Sequence, residues 1–143
     1  MVYADYWIAL QEGHLTYGTF EDYKSIINRH IKPSMKGLRM RDVLPDDITR
    51  MMKEVANFSK SVHDKTYMLA KQMFTNAYDN KLISENPCPK MHAGGRDPVE
   101  RQALTNEQMT TLIEAVKGTR AYVFCMIGLY SGLRREEILG LKW

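Results

Sequence analysis

Leu129-Tyr130-Ser131-Gly132-Leu133-Arg134-Arg135-Glu136-Glu137-Ile138-Leu139-Gly140-Leu141-Lys142-Trp143 follows directly on Tyr122 to Tyr130, a stretch that is apolar nearly all round. A helix without a polar side belongs inside a larger core. The segment from Thr105 to Trp143 has too few residues to bury such a helix by itself. The expected organisation is therefore one complete small helical domain followed by the opening helices of a second, in a truncated chain.

Upstream, the apolar spacing is helical almost throughout. Tyr3, Tyr6, Trp7 and Leu10 fall at i, i+3, i+4 and i+7, one face of a first helix. Thr19 reads as the N-cap of a second helix with Phe20, Tyr23, Ile27 and Ile31 on its apolar side, ended by Pro33 and Gly37. Pro45 suits the first position of a third helix, with Asp46 and Asp47 at its positive end and Ile48, Met51, Met52, Val55 and Phe58 as its stripe. After a break at Ser59 to Ser61, a long helix runs to about Asn80, its core side Ala70, Met73, Phe74, Ala77 and Tyr78. Proline and glycine then crowd residues 85 to 103, which read as an interdomain connection. Helix resumes at Thr105, whose spacing to Gln108 is that of a capping box, with Met109, Leu112, Ile113 and Val116 as the apolar stripe. The fold class is all-α, with a bundle of four to five helices over 1–90, a linker over 91–103 and two to three helices over 104–143.

Composition narrows the function classes. With 44% hydrophobic and 26% charged residues the chain is ordinary globular material, which argues against wholesale disorder. No run of about 18 apolar residues occurs, so no membrane partner is expected, and no signal peptide is read at the start. Cys88 and Cys125 lack a second cysteine or a histidine at ligand spacing, so no metal and no disulfide framework are expected, and the usage suits a reducing compartment such as the cytoplasm. No cofactor and no small-molecule substrate are suggested. The net charge is only +3, but no acid stands between Asp22 and Asp42, while Lys24, Arg29, Lys32, Lys36, Arg39 and Arg41 all fall there. That local excess fits either a solvated basic face or a surface that neutralises phosphates.

Ser131-Gly132-Leu133-Arg134, then Glu137-Ile138, Leu141 and Trp143, resembles the first catalytic motif of the tyrosine recombinases, the phage integrase family. Gly18-Thr19-Phe20-Glu21-Asp22-Tyr23, the Pro45 helix, the long helix and Glu85-Asn86-Pro87 resemble the SAM-like core-binding domain of that family. Ala103-Leu104-Thr105 to Val116 resembles the first helix of its catalytic domain. The resemblance covers essentially the whole chain, sharply at the end and diffusely before it. It implies double-stranded DNA as partner, self-association on DNA in a full-length protein, and strand breakage through a phosphotyrosyl link.

Within that resemblance Arg134 takes the catalytic position. A guanidinium stays charged and offers two parallel donors to the nonbridging oxygens of a phosphodiester as charge builds on them. Such a donor set contributes about 3–4 kcal/mol to a transition state. Glu137, three residues on and on the same helix face, is expected to support Arg134, and Arg135 to be an ordinary surface charge. Helices of the core-binding domain enter a DNA groove in the family, which implies contacts from Lys24, Arg29, Lys60, His63, Lys65, Thr66 and Lys71, with Arg96 and Arg101 added from the linker. None of His14, His30, His63 and His92 has an arginine three residues later, and every tyrosine precedes Arg134. The family's His-x-x-Arg and nucleophilic tyrosine therefore map nowhere, and the expectation is a DNA-binding piece without cleavage activity. A helical DNA-binding regulator and a protein-interaction module are the competing readings.

Overall fold

The computed structural model describes residues 2–89, 94–100 and 102–142. Helices dominate, and among the described residues the only extended pairing is an isolated parallel bridge between Ser59 and Arg96. The chain divides into two compact units, Met1–Val99 and Glu100–Trp143.

In the first unit, α1 (Val2–Leu10) turns at a glycine into α2 (Tyr17–Ile26). That helix passes without a break through a π turn at Ile27–Ile31 into the short α3 (Lys32–Ser34). Pro33 explains the wider turn. Its ring has no N–H and would collide with the carbonyl four residues back, so the helix opens, and Lys32 N–H donates to Ile27 O, five residues back. A 3-10 turn (Met40–Asp42) leads to α4 (Pro45–Glu54), where Asp47 accepts the Leu44 N–H at 3.0 Å. The unit closes on α5 (Lys60–Asp79), started by Ser59, whose hydroxyl accepts the Val62 N–H.

The core is built on α5. Leu69, Ala70, Met73, Phe74 and Ala77 are fully buried against Ile27 and Ile31 of the π turn, Ile48 and Met51 of α4, and Trp7 of α1. The expected stripes hold with rotations. In α1 the buried positions are Ala4, Trp7 and Ile8, while Tyr6 and Leu10 are exposed and Tyr3 is half-buried. The second helix begins at Tyr17 behind Thr16, three residues before the expected cap at Thr19. Tyr78 is 49% exposed and Phe58 is exposed too, so neither belongs to the core.

The second unit has α6 (Asn106–Val116), α7 (Ala121–Ser131) and α8 (Arg135–Leu139). The capping box at α6 is complete: Thr105 Oγ1 accepts the Gln108 N–H at 3.3 Å and Gln108 Oε1 accepts the Thr105 N–H at 3.0 Å. Met109, Leu112, Ile113 and Val116 are half-buried, and only Ile138 is buried among the described residues of this unit. No described helix is long and apolar enough to cross a membrane.

Candidate nucleic-acid interface

The basic side chains of the first unit differ in what holds them. Alternation of core and surface turns along α5 puts Lys65 and Lys71 outward, away from Ala70, Met73 and Phe74. Both line a shallow groove between α1 and α5, together with Gln11, Met68 and Gln72 over Trp7. Lys65 is ion-paired to Asp22 of α2 at 2.5 Å, so its charge already faces a carboxylate. Lys71 has no carboxylate partner among the described residues. Lys24 lies 3.7 Å from Glu21 and over the Phe20 ring, and Lys60 lies 3.7 Å from Asp97. Arg29 projects from the π turn, exposed and unpaired among the described residues.

Two expected contacts lie inside the protein instead. Thr66 is fully buried and its hydroxyl donates to Val62 O at 2.7 Å, which leaves it nothing to offer a phosphate. His63 is 3% exposed, with Nδ1 3.1 Å from Asp64 and its ring under Gly94. The error has a physical origin. Positions 63 and 66 share the inner side of α5 with 67, 70, 73, 74 and 77, and polar identity concealed that from the sequence. Arg96 comes next to Lys60 through backbone pairing: Lys60 N–H donates to Arg96 O at 2.9 Å, and Arg96 N–H to Phe58 O at 2.7 Å. Arg101 lies outside the described residues, as does Trp143 of the motif. Gln11, just past α1, and Gln72 escaped the sequence reading. For Gln11 no signal existed; for Gln72, on the α5 side of the groove, the signal was the 68, 71, 72, 75 spacing opposite the core stripe.

His30 packs edge-on against Phe58, ring centroids 4.9 Å apart. Burial first, and then neighbouring Arg29, push its pKa below the ordinary histidine value. Cys88 is partly buried, and that burial pushes its thiol up to about 12 against the opposing pull of Lys71, so it is no nucleophile at neutral pH. Among the described residues no cluster of His, Cys, Asp or Glu could hold a metal ion.

In the second unit the motif forms a tight corner. α7 ends at Gly132, whose φ of +64° is a left-handed conformation that suits glycine, and its N–H reaches Gly128 O at 3.1 Å. Arg134 then takes the N-cap position of α8, and Glu137 Oε2 accepts its backbone N–H at 2.7 Å. The Arg134 side chain is 89% exposed, its guanidinium 3.9 Å from Glu137. Arg135 pairs with Glu136 on the surface.

Residues 2–56 match the phage integrase N-terminal SAM-like domain. Both curated relatives that the chain resembles bear names of the same kind, a tyrosine recombinase and an integrase. A tyrosine recombinase XerC-like protein of Caldanaerobacter subterraneus subsp. tengcongensis is 28% identical over 136 residues, covering 87% of this chain and 34% of that protein. An integrase of Streptomyces ambofaciens is 22% identical over 142 residues, covering 96% of this chain and 36% of that one. The chain spans about a third of the length of the curated proteins it matches. No solved structure matches. The SAM-like match covers α1 to α4 and stops before α5, the helix that carries Lys65 and Lys71.

Proposed function

We propose that the first unit binds double-stranded DNA through the outer faces of α2 and α5, and that the chain serves a site-specific strand-exchange enzyme of the tyrosine recombinase type. The observation that carries this reading is Lys71, an exposed cation, unpaired among the described residues, on the outer face of the helix that organises the first unit's core. Lys65 lines the same groove, whose wall also carries Asp64 and Asp79. Lys24 and Arg29 are further exposed cations on α2 and the π turn, and Lys60 with Arg96 adds a second group at the start of α5. Rigid placement matters, because a phosphate contact from a fixed helix costs less ordering than one from a loop. Lys71 and Arg29 rank first, since a cation already answered by a carboxylate gives up that pair to meet a phosphate.

In the second unit Arg134 is the proposed catalytic residue. Among the described residues its side chain makes only a long contact to Glu137, and its backbone is held at the N-cap, so the guanidinium is positioned at its base and exposed at its tip. Glu137 acts as the positioning residue by accepting the Arg134 N–H. The reaction needs a nucleophilic tyrosine and further phosphate-binding groups, and the sequence has no His-x-x-Arg. The proposal is therefore that this chain alone binds DNA without cutting it, and that self-association on DNA belongs to a longer protein.

Fluorescence anisotropy with a labelled duplex, stepped from low to high salt, tests the reading. Log-linear weakening with salt is expected, and a shallower slope for Lys71→Ala. Binding that is absent at low salt, or unchanged in slope by Lys71→Ala and Arg29→Ala, sinks the DNA reading and favours a protein-interaction module.

A further inference from the structure

The stretch read from sequence as an open linker is fastened to the first unit in two places. Tyr67 OH donates to Pro89 O, and Asn86 is tied to α5 through its side-chain N–H to Thr75 Oγ1 at 3.0 Å. Further on, Gly94 to Arg96 run across the start of α5. Arg96 donates to Phe58 O at 2.7 Å and accepts from Lys60 N–H at 2.9 Å, the two bonds of the parallel bridge with Ser59. Lys60 is the first residue of α5, so its N–H has no partner within the helix. The bridge supplies one from outside.

The sequence is fitted to this contact. A Cβ on Gly94 would stand 2.5 Å from His63 Nε2, and one on Gly95 would stand 2.7 Å from Lys60 Cα, in a backbone with φ of +81°. Glycine is required at both positions, for space at the first and for space and conformation at the second. The imidazole of His63 lies beneath and is almost fully buried.

We infer that residues 94–96 are a strap that sets the free length of the connection between the two units, and that His63 is the seat on which it rests. With the strap seated, the stretch between it and the Thr105 cap is residues 97–104, which can reach at most roughly 28 Å. With it lifted, the tether begins after Pro89 and runs over 90–104, which can reach roughly 50 Å. Among the described residues, lifting breaks the bridge, the Lys60–Asp97 ion pair and the packing over His63 and leaves the core around Phe74 undisturbed, so it belongs to the local openings that cost less than global unfolding. This inference stands on the geometry of the first unit and does not depend on the DNA reading.

The test is cleavage by trypsin at the Arg96–Asp97 bond, with hydrogen exchange at the Lys60 and Arg96 amides read in parallel. In the unaltered chain both amides are protected and the bond is cut slowly. Gly94→Ala and Gly95→Val each lift the strap, speeding that cut by about tenfold or more while helix content and melting midpoint hold. His63→Ala in the Gly94→Ala background removes every imidazole atom in the way and returns the cut to near its original rate. Amides of Lys60 and Arg96 that exchange at free-chain rates in the unaltered protein overturn the strap. So does an Arg96–Asp97 bond cut equally fast in the unaltered protein and both glycine variants. A double variant still cut as fast as Gly94→Ala overturns the role given to His63.

Discussion

The helices α5 and α7 are both rich in apolar residues, yet the two units use that material differently. Around α5, Ile27, Ile31, Met35, Ile48, Met51, Leu69, Met73 and Phe74 are all buried, drawn from the π turn, the end of α3, α4 and α5. Around α7, every residue from Phe124 to Leu129 is only half-buried, and Val123 and Tyr130 are exposed. Apolar periodicity reports which side of a helix seeks a core. Whether enough neighbouring chain exists to build that core is a separate matter, decided by area. The first unit satisfies both conditions, and the second as described satisfies only the first.

The largest expected effect separates the two units directly. Phe74→Ala should cost about 3–5 kcal/mol, read as a lower urea midpoint at unchanged slope. Phe124→Ala, already half in water, should cost about 1–2 kcal/mol. Equal losses would erase the contrast. Next comes the basic face. Lys71→Ala should weaken duplex binding about fivefold at low salt and reduce the salt slope by about 0.9, the contribution of one phosphate. Lys65→Ala should do less, and Asp22→Asn should tighten binding about twofold by releasing Lys65. If Asp22→Asn weakens binding, the pair is holding α2 and α5 in place and not restraining a phosphate contact.

Smaller effects sharpen the second unit. Glu137→Ala should destabilise α8 by about 0.5–1 kcal/mol, since it withdraws the acceptor of the Arg134 N–H, whereas Arg134→Ala should leave melting within about 0.5 kcal/mol. A structural loss from Arg134→Ala as large as that from Glu137→Ala would assign the arginine to the fold. The smallest effect is a pH slope. His30 in the folded chain has its pKa below the ordinary 6.5, so the unfolded chain takes up its proton more readily. Its contribution to stability is therefore complete above about pH 6.5 and declines as pH falls through that value towards the folded pKa. His30→Gln should flatten this slope, and thermal melts at pH 7.5 and 5.5 with and without the substitution would show it.

Much of this architecture was legible in the residues. Pro45 and Asp47 marked the start of α4, Thr105 and Gln108 that of α6, and Ala70, Met73, Phe74 and Ala77 the buried side of α5. What failed shares one cause. His63 and Thr66 are polar residues whose burial is decided by partners distant in sequence, Gly94 above and the core below, and a local reading assigns such residues to the surface. The start of α2 was misplaced because Thr16 and Thr19 are equally good caps on local chemistry. The seating of 94–96 could not be read because glycine next to glycine signals freedom unless its neighbour is known. Arg134 is singled out only by the ordered motif around it, and its role stays a proposal, since its own exposure resembles that of any surface arginine.

The π turn at Ile27–Ile31 bears on how this chain aligns with others. A π turn is an α-helix that has accepted one extra residue, so a relative in which this helix runs as plain α should align with a single-residue gap between positions 27 and 31. Without that gap, every position upstream would be compared about 100° out of phase around the helix. Tyr23 would then be matched to the exposed position of Asp22, and Lys24 to the inward position of Tyr23. The placement of one gap thus decides whether the basic side of α2 can be recognised in distant kin at all.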